Sequence, residues 1–254
     1  MSVSSKEDQR EKRKEGGFAE TARVIFHALI IALVIRTFLV PPFNIPSGSM
    51  IETLLIGDYL FVSKYSYGYS RFSFPLSPPL FSGRIFASQP NRGDVVVFRL
   101  PRDESTDYIK RVIGLPNDRI QMIDGLLYIN ATPVKRERLP DYVDDEDGRP
   151  TKVRRWRETL PNGVSYDTLD LQDNGFLDNT SVYVVPPGHY FMMGDNRDNS
   201  TDSRVLSQVG YVPFENIVGR AQIIFFSIGD GVSAWQIWAW PWAVRWSRLF
   251  TIVR

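Results

Sequence analysis

The chain has 254 residues, 43% of them hydrophobic and 23% charged, with a net charge of +1. That composition supports a packed core, excludes wholesale disorder and leaves no electrostatic footprint for nucleic-acid binding. With no cysteine and only two histidines, His27 and His189, disulfide scaffolds, thiolate metal sites and thiol nucleophiles are excluded, and chemistry falls to hydroxyls, carboxylates, Lys and Arg.

In chain order, the first predicted element is an apolar helix. Residues 1–23 form a charged tail carrying Lys6, Arg10, Lys12, Arg13, Lys14 and Arg23; an apolar run follows over 24–35, interrupted once by His27, then Arg36, Thr37 and three further apolar residues. The segment 24–40 reads as a transmembrane anchor if Arg36 snorkels to the headgroups. Lys and Arg are absent from 41 to 60, so the positive-inside rule puts the tail in the cytoplasm and the rest outside. A cleaved signal peptide, with Ser47-Gly48-Ser49 as its small-residue site, or a buried core helix would give a similar run.

Beyond Pro41 the pattern is mostly β. Strand-like stretches recur at 59–63, 94–100, 108–113, 119–123, 126–130, 181–185 and 221–227, and Asp124-Gly125 between two of them is a hairpin signal. Residues 65–92, rich in Ser, Pro and aromatics, read as an irregular surface loop. The polar region 131–180 holds an acidic stretch (Asp141, Asp144, Asp145, Glu146, Asp147) and a basic one (Lys152, Arg154, Arg155, Arg157), and reads as solvated loops or hairpins. Five of the six tryptophans crowd the C-terminus, with 235, 238, 242, 246 and 249 at helical spacing. That pattern suits either a membrane-interface segment or a tail packed on the β core.

Three segments place polar groups in constrained contexts. In Phe43-Asn44-Ile45-Pro46-Ser47-Gly48-Ser49-Met50, Pro46 stiffens the approach and Gly48 permits a tight turn that presents Ser49. In Tyr108-Ile109-Lys110-Arg111-Val112, the strand period puts Lys110 on one face with Tyr108 and Val112 and Arg111 on the other. A Lys among bulky apolar neighbours loses solvation, which lowers its pKa. The run 194–204, Gly-Asp-Asn-Arg-Asp-Asn-Ser-Thr-Asp-Ser-Arg, lacks EF-hand spacing, and its two arginines oppose a cation. A network of carboxylates and guanidiniums fits it better than calcium.

Taken together and in order, Ile45-Pro46-Ser47-Gly48-Ser49-Met50, Gly93-Asp94-Val95-Val96-Val97-Phe98, Lys110-Arg111-Val112-Ile113-Gly114-Leu115-Pro116 and the 194–204 run resemble bacterial signal peptidase I, a membrane-bound serine endopeptidase. The resemblance implies an antiparallel β catalytic domain over 41–120 and 190–254, a small β cap inserted at 121–189 far from the active site, and one N-terminal transmembrane helix. It makes Ser49 the nucleophile and Lys110 the general base, a pair that needs neither histidine, metal nor cofactor. The Ser47 hydroxyl and the Ser49 N–H become the oxyanion hole, and Ser200 orients the Lys110 amine. Arg111, Asp195, Asp202 and Arg204 become scaffold charges, with Asp195–Arg111 and Asp202–Arg204 as the expected pairs.

By the same resemblance Phe43, Ile45, Pro46, Met50, Asp107 and Ile109 bind substrate, and a strand edge at 107–110 or 43–46 pairs with the signal peptide of an exported preprotein. The expected protein is a monomer of the bacterial cytoplasmic membrane, in contact with lipid and not with nucleic acid, and its catalytic domain lies outside. Two departures stand out. Glu52 replaces the usual Pro, which would raise the pKa of Lys110 if the two were close; Asn117 replaces a Gly in a left-handed turn that Asn also tolerates. A self-cleaving Ser–Lys regulator and an inactive tethered binding module are the competing readings.

Overall fold

The computed structural model describes residues 4–39, 41–144, 150–229 and 231–254, with backbone alone for 4–19 and 36. The side chains of Lys6, Arg10, Lys12, Arg13, Lys14 and Arg36 therefore lie outside the described residues, as do Val40 and Asp145, Glu146 and Asp147 of the acidic stretch.

The chain opens with the helix α1 (Ser4–Phe38). Its apolar part, 24–35, rises only about 18 Å against a hydrocarbon core of about 30 Å. Among the described residues no helix is long and apolar enough to cross a membrane. The expected anchor is thus present as a helix, with Val24, Phe26, Leu29, Ile31 and Leu33 exposed along it.

Four strands follow: β1 (Pro42–Asn44), β2 (Asp58–Ser63), β3 (Val95–Arg99) and β4 (Asp107–Gly114). Next come β5 (Arg119–Ile123), β6 (Leu126–Ile129) and β7 (Thr132–Pro133), then β8 (Lys135–Asp144), β9 (Thr151–Thr159) and β10 (Ser165–Asp170). The chain returns through β11 (Tyr183–Val184), β12 (His189–Met193), β13 (Val212–Pro213), β14 (Ile217–Ser227) and β15 (Thr251–Ile252). The main antiparallel sheet runs β1-β2-β14-β3-β4-β12-β13, with β15 also on β14. Two further sheets, β11-β5-β6-β7 and β10-β9-β8, come from the middle of the chain. The mostly β architecture is as expected.

Both faces of the main sheet are covered, which explains the uninterrupted Val95-Val96-Val97-Phe98 run. Alternation sends Val95 and Val97 into a cluster with Ile45, Met50, Leu54, Leu60 and Ile109. Val96 and Phe98 join Tyr67, Val112, Tyr190 and Met192 on the opposite face. The Asp124-Gly125 hairpin forms as predicted, with both φ values positive (48° and 70°), the requirement of a type I′ turn.

Three regions differ from expectation. Residues 65–92 are not merely surface: Tyr67 and Phe72 are core residues, and Arg84 donates to the carbonyls of Tyr67, Gly68, Phe214 and Ile217, clasping the loop to the domain. The 131–180 region does pair as hairpins, β8 on β9 and β9 on β10, but it is not simply solvated: Val153 and Leu169 are buried on one face and Glu158 and Tyr166 on the other. The C-terminal tryptophans do not share one helix. A 3-10 turn (Ile237–Ala239) leads into the short helix α2 (Trp240–Ala243), a second 3-10 turn (Trp246–Arg248) and then β15. Pro241 is tolerated in α2 because it stands in the first turn. Trp240 packs on Phe226, whereas Trp235, Trp238, Trp242 and Trp246 remain exposed.

Candidate active site

Ser49 is the central residue of a 3-10 turn (Gly48–Met50) that follows Ser47 in extended conformation. The first N–H groups of such a turn have no partner inside it, so the Ser49 amide is disposed to receive an external acceptor. Met50 is fully buried and anchors the turn in the core with Ile45 and Leu54. Behind it, Asn196 holds the turn twice: its backbone N–H donates to Ser49 O at 3.1 Å and its side-chain amide to Gly48 O at 3.1 Å.

Lys110 comes from β4. Its amine lies 2.7 Å from Ser49 Oγ and 2.9 Å from the Ile109 carbonyl, and the residue is 3% exposed. Burial lowers its pKa to about 8, against the opposing pull of the Asp202 and Asp195 carboxylates. The two groups that the sequence separates by 61 positions are therefore in direct contact in a water-poor site. Ser47 Oγ lies 3.4 Å from Ser49 Oγ, at the start of the same turn.

The scaffold charges pair as expected. Arg111 makes a two-pronged bond with Asp195 (2.8 and 2.7 Å), and its guanidinium stacks 4.1 Å over the Tyr166 ring. Arg204 grips Asp202 at 2.9 and 2.8 Å, and the Asp202 carboxyl stays below the ordinary range because that guanidinium outweighs its burial together with bonds from Gly194 and Ser200. Ser200 does not reach the lysine: its hydroxyl donates to Asp202 Oδ2 at 2.8 Å. Glu52 is also turned away, bound to Arg155 at 2.6 Å, and takes no part in setting the Lys110 pKa.

Of the expected substrate residues, Phe43, Ile45, Met50 and Ile109 form one apolar cluster beside Ser49. Pro46 is exposed at the entrance. Phe43 and Asp107 line a cleft of about 240 Å³ with Asn44, Lys64 and Arg99. β1 is the edge of the sheet. On β4, the β12 partner covers only Arg111 to Gly114, so 107–110 present a free edge on that side.

Several contributors escaped sequence reasoning. Thr53 donates to Asp195 and accepts from Arg111, locking the segment after Ser49 to the same charge pair. Glu158 on β9, 39 positions from Arg197, forms a fully buried pair with it at 2.9 and 2.5 Å. Nothing in the polar stretch around 158 marked that glutamate; only the tertiary contact does. The three-stranded sheet is also near the site, since Ile51, two residues past Ser49, packs on Val153 and Leu169. Among the described residues, no group of His, Asp or Glu is arranged to hold a metal ion.

A family model described as "Signal peptidase, peptidase S26" matches residues 18–226. Signal peptidase I of Rickettsia typhi is 47% identical over 87% of this chain and 89% of its own length. Signal peptidase I of Rickettsia conorii is 43% identical over 98% and 95%. A crystal structure of a signal peptidase I from Enterococcus faecalis covers 52% of this chain and 97% of its own at 28% identity and a TM-score of 0.31. With a family model matched over most of its length and relatives aligned nearly end to end, the chain belongs to the S26 signal peptidase family.

Proposed function

We propose that this protein is a Ser–Lys endopeptidase that removes signal peptides from exported preproteins, cutting after small residues. The observation that carries the reading is the 2.7 Å contact between the Lys110 amine and Ser49 Oγ in a buried site that lowers the amine pKa to about 8. A neutral Lys110 takes the Ser49 proton as the oxygen attacks the scissile carbonyl; the Ser47 hydroxyl and the Ser49 N–H receive the oxyanion. The protonated amine then gives its proton to the leaving nitrogen, and water, activated by the same amine, releases the acyl group from Ser49. The strand edges at β1 and 107–110 suit an extended peptide, and the packed cluster of Phe43, Ile45, Met50 and Ile109 beside Ser49 favours small side chains before the cut.

Membrane attachment belongs to the same reading. The apolar residues of α1 are exposed around the helix, basic residues precede them, and exposed tryptophans follow near the C-terminus. These features support a single tether with the β domain on the outer side of the cytoplasmic membrane; the two separate sheets formed from the middle of the chain support 121–189 as an inserted cap.

The test is cleavage of a purified preprotein in detergent, wild type beside Ser49→Ala, with mass spectrometry of the product ends. A cut after a small residue that disappears in the variant is expected. Equal cleavage by the variant would mean a different nucleophile.

A further inference from the structure

β12 runs antiparallel to β4 and pairs with it as far as Met193 opposite Arg111; from Gly194 the chain peels away. A peptide strand lying along 107–110 therefore occupies the line that β12 vacates. Its end nearest Lys110, where Ser49 waits, meets the 194–200 segment head-on. The residues before the cut sit on the Phe43 and Ile109 side, so the chain after the cut must cross the segment that carries Asn199 and Ser200.

Just beyond that segment is a second cavity of about 320 Å³, lined by Gln172, Phe176, Leu177, Asp198, Asn199 and Thr201 among others. Asn199 joins the two places: its side-chain nitrogen is 3.5 Å from where a Cβ on Gly48 would stand. Asn199 and Ser200 line this cavity and stand against the Gly48–Ser49 turn, so an extended chain leaving Ser49 across them enters it within its first few residues. Resting on the peptidase reading above, we propose that this cavity binds the second and third residues of the mature protein and selects among them by charge.

The cavity's character follows from its wall. Asp198 Oδ2 accepts the backbone N–H groups of Leu171 (2.7 Å) and Gln172 (3.2 Å), which fixes the carboxylate in the wall. Asp178 lies close enough for Asp198 to help raise its pKa, although burial is the larger cause. Arg197 also lines the cavity, but its guanidinium is paired with Glu158, and the guanidinium of Arg204 is paired with Asp202. The wall therefore keeps a net negative charge, while Phe176, 92% exposed, and Leu177 offer apolar surface for an alkyl stem. A basic side chain fits such a wall and an acidic one is repelled. Phe176, Leu177 and Gln172 all belong to the link between β10 and β11, so the middle of the chain would contribute to substrate choice.

The test uses peptides with one signal region and Lys, Ala or Glu at the second and third mature positions, cleaved by wild type and by Asp198→Asn and Phe176→Ala. Asparagine keeps a side-chain oxygen for the two backbone donors while removing the charge. The Lys-to-Glu ratio of kcat/KM, read within each protein, does not depend on how much of that protein is folded. The expected ratio in wild type is roughly three- to fivefold, the size of a partly exposed charge pair. It should fall towards one in Asp198→Asn, while Phe176→Ala should lower kcat/KM for the Lys peptide more than for the Ala peptide. A ratio near one in wild type, or one unchanged in Asp198→Asn, overturns the subsite while the Ala peptide is still cut. Failure to cut any peptide overturns the peptidase reading and the subsite with it.

Discussion

Burial of one amine governs the chemistry at the scale of the residue. The Lys110 pKa of about 8 lies below the unfolded value of 10.5, so the unfolded chain binds more protons between those two pH values. The burial penalty is therefore complete below pH 8 and is relieved as pH rises towards 10.5. Lys110→Met should raise the unfolding free energy at pH 7 by about 1–3 kcal/mol, an advantage that shrinks above pH 8; denaturant titration across pH reads it. For the same reason kcat/KM of the wild type should climb with pH through an apparent pKa near 8, as the base loses its proton. Ser47→Ala should lower kcat by about 10²–10³-fold with little change in KM, the signature of a donor used in the transition state. Ser49 and Lys110 could be singled out in the sequence because few other residue types remained for the chemistry and their local contexts resemble the family's; their 2.7 Å contact could not. The Ser200–Asp202 bond was not legible, because which acceptor a hydroxyl chooses depends on distances that no local pattern fixes.

Among the elements, the 194–204 segment holds the site together. A Cβ on Gly194 would stand 2.2 Å from Ser200 Oγ and 2.6 Å from Ser49 O. Gly194→Ala must therefore push the nucleophile turn away from this segment, and a displacement near 1 Å should cost about 10²-fold in kcat/KM. The far side of the segment is secured by Arg197 on Glu158. Glu158→Ala leaves that guanidinium buried without its partner and should cost about 3–5 kcal/mol of stability, measurable as a lower denaturant midpoint. The Asp195–Arg111 and Asp202–Arg204 pairs came from the family resemblance. Glu158 could not, since its partner lies on another part of the chain and its neighbours read as ordinary surface charge. The 65–92 loop failed for a related reason: Ser- and Pro-rich composition signals irregular backbone, and says nothing about whether Tyr67 and Phe72 turn inward.

For the molecule as a whole, a sheet covered on both faces positions the candidate site at the free edge of β4. Removing 1–35 should leave peptide cleavage within a few-fold of wild type while lowering co-sedimentation with lipid vesicles by roughly tenfold or more, if the exposed apolar residues of α1 are the tether. By itself the sequence determined the classes of chemistry available and the alternation that buries Val95 to Phe98 from both sides. It also determined the Asp124-Gly125 turn and the existence of the N-terminal helix, which reads from sequence as a spanning anchor although the helix's apolar part is too short for that. Those properties reside in residue type and local period, which neighbours along the chain settle. Only the tertiary structure decided that Lys110 touches Ser49, that Glu52 turns to Arg155, that the middle sheet rests beside the nucleophile turn, and that the C-terminal tryptophans part company instead of sharing a helix. Each depends on how distant segments compete for the same buried space, and that competition is resolved only when the whole core packs at once.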